Sequence, residues 1–298
     1  MTDTVAQAIF GIGCPFAIGG FVAALGAQAT DERGRARFTW RLALAAGLPV
    51  TLAFIGLFGQ PADAWHKLLY VPAVGIAIAV LAAFAPRRAL VRLGLLLALT
   101  AATMACAWPV LRPETNGLKA ATAGAVFVVT LVLEGLLQRR PGAGPIIAIG
   151  LALTASSALV LASGFLTLAV AYGALAVAVT AIGVVGGLRN RSLAAHGGLA
   201  AVVGPMLVLG PLTGWLYTKD GGAGLPLAYL ALPTIAPLAM WLVEPFPRRL
   251  REGWFGLIAR LAIVMLVCGA AGTLAIVGAG DEAAEDDPYA DMYKDMMG

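Results

Sequence analysis

Residues 145–188 read PIIAIGLALTASSALVLASGFLTLAVAYGALAVAVTAIGVVGGL, forty-four positions without one charged side chain. A single α-helix of that length would extend about 66 Å at ~1.5 Å per residue, roughly twice the ~30 Å that a bilayer's hydrocarbon core requires. The stretch is therefore expected to cross twice, with the break at Ser163-Gly164. One crossing or two decides which side every later loop takes, so the arginines test the choice. With two crossings, alternate loops gather Arg33–Arg41, Arg87–Arg92, Arg139–Arg140, Arg189–Arg191, Arg248–Arg251 and Arg260 on one side, fifteen of the twenty basic residues. Lys67, Arg112, Lys119, Lys219 and Lys294 are left for the other side. Counting one crossing would scatter the arginines over both faces. The positive-inside rule thus favours two crossings and places both termini outside the cytoplasm.

Working outward from this pair, apolar runs recur at about 8–28, 42–59, 68–85, 90–111, 118–138, 145–163, 166–188, 197–217, 225–243 and 256–279. The chain is expected to be all-α, a polytopic bundle of about ten spans, several kinked by Pro or Gly. Trp40, Trp241 and Trp254 then fall at the inner interface and Trp65, Trp108 and Trp215 at the outer one, as aromatic belts require. Hydrophobic residues make up 60% of the 298 and charged ones 12%, against about 25% charged in soluble domains. Residues 1–280 form one transmembrane domain in this reading, with no interval long enough for a soluble domain. The first apolar run lacks a basic flank and is expected to stay as a spanning helix. These features suit a cell membrane, and the sidedness of the arginines suits a bacterial inner membrane.

The net charge of +4 divides unevenly, because residues 281–298 hold seven acids against one Lys. The tail is acidic and the rest strongly basic. Those arginines sit in short inter-span loops, where they orient the chain, so the basic balance does not point to nucleic acid. An offset of 161 residues aligns Pro72, Pro86 and Arg87-Arg88 with Pro233, Pro247 and Arg248-Arg249, and continues through Leu96/Leu257 to Met104/Met265. As a repeat it would make spans 1–4 and 7–10 parallel copies. Coincidence in a chain so rich in Ala, Leu and Pro is the other reading.

Few residues carry chemistry. Glu134 is the acid inside a span, five residues before Arg139 and so about 7 Å below it along a helix. An embedded acid is a candidate proton carrier or counter-charge, though at this depth it can also reach the headgroups or an interfacial Arg. Between 204 and 247 lie seven of the seventeen prolines. Proline removes a main-chain donor, and transporter sites are often built from helices interrupted in this way. Pro205, Pro211, Thr213, Tyr217, Tyr229, Pro233, Thr234 and Pro237 therefore make the candidate pocket, with simple kinking as the alternative. Gly183-x-x-x-Gly187 and Gly210-x-x-x-Gly214 offer small faces for close helix packing.

The composition excludes several classes. Cys14, Cys106 and Cys268 lie far apart in apolar runs, and His66 and His196 fall at opposite membrane faces, so no haem or metal set forms and no cofactor is expected. Leu161-Ala-Ser163-Gly164 lacks the first glycine of a Gly-x-Ser-Gly nucleophile turn, and His196 lies across the membrane from it. Without interfacial carboxylates or metal ligands, an enzyme is not expected. In the tail, Asp287 suits an N-cap and Pro288 a first helical position, giving a short helix over 288–297. Tyr289, Met292, Tyr293 and Met296 would share one face of it, a surface for docking to an extracytoplasmic partner or to other membrane subunits. Two functions follow as expectations. One is an uncoupled, permease-like transporter of a neutral or hydrophobic small solute. The other is an accessory subunit of a larger membrane complex, docked through its acidic tail.

Overall fold

The computed structural model describes residues 12–26, 40–50, 64–86, 88–139, 142–163, 165–189, 197–218, 227–243 and 253–285. Long runs of Leu, Ala and Val, broken mainly where Gly, Pro, Arg or Ser cluster, close their own main-chain hydrogen bonds as helices. That is the solution open to an unhydrated chain without barrel-forming strands. Ten helices result among the described residues, with no strand. They are α1 (Cys14–Gly26), α2 (Trp40–Val50), α3 (Val71–Phe84, entered through a 3-10 turn, Ala64–Tyr70), α4 (Ala89–Leu111) and α5 (Asn116–Arg139). There follow α6 (Ala143–Ala162), α7 (Leu166–Arg189), α8 (Gly197–Thr218), α9 (Leu227–Ile235, continued as a 3-10 helix over Ala236–Val243) and α10 (Gly253–Glu285). Each of the ten expected spans overlaps one of them. Seven are long and apolar enough to cross a membrane: α3 with its lead-in, α4 to α8, and α10. The apolar helical stretches of α1, α2 and α9 are shorter.

The forty-four-residue run divides where expected. Helix α6 ends at Ala162, the Ser163 N–H bonds back to the Leu159 carbonyl, and the Ser163 hydroxyl donates to the Val160 carbonyl at 2.8 Å. After Phe165 the chain re-enters α7 and returns along α6. Ile147 meets Gly183, Gly150 meets Thr180 and Ser157 meets Gly173, pairs symmetric about the turn, so the hairpin is antiparallel and in register. The Ser157 hydroxyl staples it with a 2.7 Å bond to the Ala169 carbonyl. Lipid tails are as apolar as Leu, so burial cannot drive this pairing; close contact over small residues does. Gly183 of the first Gly-x-x-x-Gly therefore serves packing within the chain.

Helix α8 is the axis of the bundle. Nearly every position of its spanning window is buried, whereas α4 and α10 bury less than a quarter of theirs. Helices α3, α5, α6 and α9 surround it, and α1 packs on α7, where Gly19 lies against the Ala178 carbonyl. Helix α4 buries one stripe, Leu96, Leu99, Thr100, Thr103, Ala107 and Leu111, and leaves Leu90, Leu93, Leu97 and Trp108 exposed. In lipid such an outer face is the ordinary boundary.

Three features add to the sequence reading. Span 8 is not broken, because α8 continues through both Pro205 and Pro211. Span 9 is the one that changes geometry, passing from α to 3-10 after Ile235. Helix α10 runs on to Glu285, past residue 280. At 33 residues, about 50 Å at ~1.5 Å each, α10 is longer than a bilayer core and carries Asp281, Glu282 and Glu285 beyond it. The tail helix over 288–297 lies outside the described residues.

Candidate functional site

Proline leaves the carbonyl four residues before it without its helical donor. In α8 those carbonyls are Ala201, opposite Pro205, and Leu207, opposite Pro211. Each is met from a neighbouring helix. The Thr234 hydroxyl of α9 donates to the Leu207 carbonyl at 2.6 Å. At Ala201 the neighbour is main chain: Gly75 of α3 sits so close that a side-chain carbon there would stand 2.6 Å from the Ala201 oxygen. A third helix reaches the same turns, since the Tyr172 hydroxyl of α7 donates to the Met206 carbonyl at 2.6 Å. Its ring occupies the space a side chain at Gly210 would need. Helix α8 is thus a proline-weakened main chain held at the Pro211 turn by two hydroxyls from two other helices.

The candidate pocket residues fall in this region. Pro205, Pro211, Thr213, Pro233, Thr234 and Pro237 are all buried, and Tyr217 and Tyr229 are placed by their backbone on α8 and α9. Thr213 donates to the Leu209 carbonyl one turn back at 2.6 Å, and Thr234 to Leu207. Both hydroxyl protons are thereby directed at main chain, and the remaining lone pairs are what these groups could offer a solute. Gly214, of the second Gly-x-x-x-Gly, faces the Ser163 hydroxyl, so that motif also packs within the chain.

Glu134 lies partly buried on α5, and the Gln138 side-chain amide donates to its Oε1 at 2.9 Å. Its recorded partner is thus a neutral group one turn along its own helix. His66 is buried at the start of the 3-10 turn, stacked on Trp65 with ring centres 3.9 Å apart, and Trp65 meets Phe165 edge-on at 5.8 Å. This aromatic group closes the bundle end where the α6–α7 turn lies. At the α4–α5 hairpin, Lys119 sits 5.1 Å over the Trp108 ring and donates to the Arg112 carbonyl at 3.2 Å. A Trp with a snorkelling Lys is the kind of pair that suits either membrane–water interface. Asp287, Tyr289, Met292, Tyr293 and Met296 lie outside the described residues, as does His196.

Tyr172, Gly75 and Thr130 are participants that sequence reasoning missed. Tyr172 carried a usable signal, the one aromatic residue of its span, and a buried phenol needs an acceptor. Thr130 and Thr103 are buried, and their hydroxyls make no hydrogen bond. No group of three or more metal-binding side chains occurs among the described residues. Compared with protein-family models, with curated proteins and with solved structures, the chain matches none.

Proposed function

We propose that this multi-pass membrane protein is an uncoupled permease for a neutral or hydrophobic small solute, with the α8–α9 contact as its moving part. The observation that carries the reading is the Thr234–Leu207 bond. It joins a proline-freed carbonyl on the buried axial helix to a neighbour that itself passes from α to 3-10 one residue after Thr234. Such a bond can open without breaking either helix's own ladder, and proline-weakened helices at bundle centres are where carriers place solute contacts. Thr213 and Thr234 are the polar groups described there, and Tyr217 and Tyr229 belong to the same two helices. A neutral cargo agrees with their chemistry, because Glu134, the embedded acid, is paired with a neutral Gln138. The test is solute entry into proteoliposomes holding the purified full chain, using a panel of uncharged solutes such as urea, glycerol and short alcohols. Entry above empty liposomes that is altered by Thr234→Val supports the reading. No entry for any of them, with the protein folded, removes it.

A second reading, an accessory subunit of a membrane complex, is favoured by the sparsely buried α10 and the acidic segment that follows it. Stoichiometric co-purification with other subunits in mild detergent, lost when residues 281–298 are deleted, would select it over the permease.

A further inference from the structure

Span 9 gives up the α-helix where α8, which also carries two prolines, keeps it. Proline spacing accounts for the difference. In α8 the prolines are six apart, so the two missing ladder bonds lie on different faces, each flanked by intact ones. In span 9 Pro233 and Pro237 are four apart. Residues four apart share a face, so the bonds lost at the Tyr229 and Pro233 carbonyls would fall one above the other in an α-helix. That face is unlaced over two turns. Between the two prolines the winding changes to 3-10, in which the carbonyl at 233 is served from residue 236 instead of from Pro237.

The 3-10 run, Ala236–Val243, is eight residues long. Its hydrogen bonds are poorer than α bonds, runs beyond three or four residues are uncommon, and a stretch inside a helix often marks a hinge. Two anchors hold it extended. Thr234, just before the run, is bonded to Leu207 of α8, and Met240, within it, is 2% exposed in the core. Six steps at ~2.0 Å carry the 3-10 winding about 12 Å from the first anchor to the second, whereas α winding at ~1.5 Å would cover about 9 Å. We propose that span 9 is a two-state hinge. Residues 236–243 stay 3-10 while the Thr234–Leu207 bond is made, and wind into an α-helix about 4 Å shorter when it opens. The run packs against α10, α6 and α5, so a change at the axial helix is passed outward to α10. On the permease reading this is how opening of the α8–α9 contact spreads, but the hinge itself needs no solute.

Spin labels on a cysteine-free full chain in proteoliposomes read the winding directly. Side chains at i and i+3 eclipse in a 3-10 helix, while i and i+4 lie one above the other in an α-helix. Ile235, which is exposed, is the shared label site. Before it, the Ala231/Ile235 pair should couple more strongly than Leu232/Ile235, the α order. After it, Ile235/Leu238 should couple more strongly than Ile235/Ala239, the 3-10 order. Thr234→Val should reverse the second order and leave the first, and Thr234→Ala, which removes the same hydroxyl at smaller volume, should do likewise. Thr234→Ser should hold the wild-type order. Pro237→Ala restores the missing donor and should also give the α order after Ile235. An α order there in the unsubstituted protein overturns the proposal. So does a 3-10 order kept by folded Thr234→Val or Thr234→Ala, since a winding reversed by Pro237→Ala alone is a fixed effect of proline and no switch. Because the readout is winding and not flux, absence of solute entry would remove the permease reading without touching these outcomes.

Discussion

At the scale of single residues, the centre of the bundle depends on which hydroxyl serves which carbonyl. Thr213 and Thr234 look alike in sequence, yet they do different things. The Leu209 carbonyl that Thr213 approaches also has the N–H of residue 213 one turn on, so its bond is redundant. The Leu207 carbonyl has Pro211 in that place and depends on Thr234. Thr234→Val is therefore expected to cost about 1–3 kcal/mol, the penalty of a buried acceptor left unmet, and Thr213→Val well under ~1 kcal/mol, both read from thermal unfolding in detergent. Gly210→Ala should be worse tolerated than an average Gly→Ala change in a helix. Its methyl would enter the Tyr172 ring, at a cost of about 1–3 kcal/mol, and the paired Tyr172→Phe should not relieve it because the ring stays. Glu134→Gln should shift stability by less than ~1 kcal/mol and leave solute entry intact, since its partner is the neutral Gln138. Loss of a measured flux in a folded Glu134→Gln protein would instead make it a coupling group.

At the scale of elements, turns and register decide the packing. Gly142, before α6, adopts φ 128° and ψ −177°, a conformation open to glycine alone, and it follows Arg139-Arg140-Pro141. Gly142→Ala should destabilise by roughly 1–3 kcal/mol through backbone strain, which comparison of unfolding midpoints would register. The break at Ser163-Gly164 was legible because forty-four uncharged residues cannot be one crossing. What the run did not show was the in-register return that sets Gly150 on Thr180 and Gly183 on Ile147. The prolines of α8 were legible as sites of a lost donor, and the carbonyls concerned follow by counting back four. Their partners were not, because Thr234 and Gly75 lie 27 and 126 positions from the carbonyls they meet.

At the scale of the molecule, the arginine bias predicts that both termini and the Gly222 loop face outside and the Gly34 loop faces the cytoplasm. Single cysteines at Gly34 and Gly222 of a cysteine-free variant, probed with a membrane-impermeant thiol reagent on intact cells, check this. Position 222 should label and position 34 should not. Deleting residues 281–298 should leave the midpoint of the helical body nearly unchanged, because the described core contacts of α10 are made by Leu261, Val264, Val267, Cys268 and Ala271. The amino-acid sequence alone determined that this chain is helical and membrane-embedded, where its long runs divide, and how little acid–base chemistry it holds. These follow from composition, run length and the position of charge, each of which acts locally against a ~30 Å slab of hydrocarbon. Only the tertiary structure decided that α8 is the buried axis while α4 and α10 lie outside. The faces of these helices are almost equally apolar, and lipid does not sort Leu from Leu as water would. The sorting is left to shape and to main-chain hydrogen bonds, through the glycines that let helices approach and the Thr234 hydroxyl that answers the carbonyl Pro211 sets free.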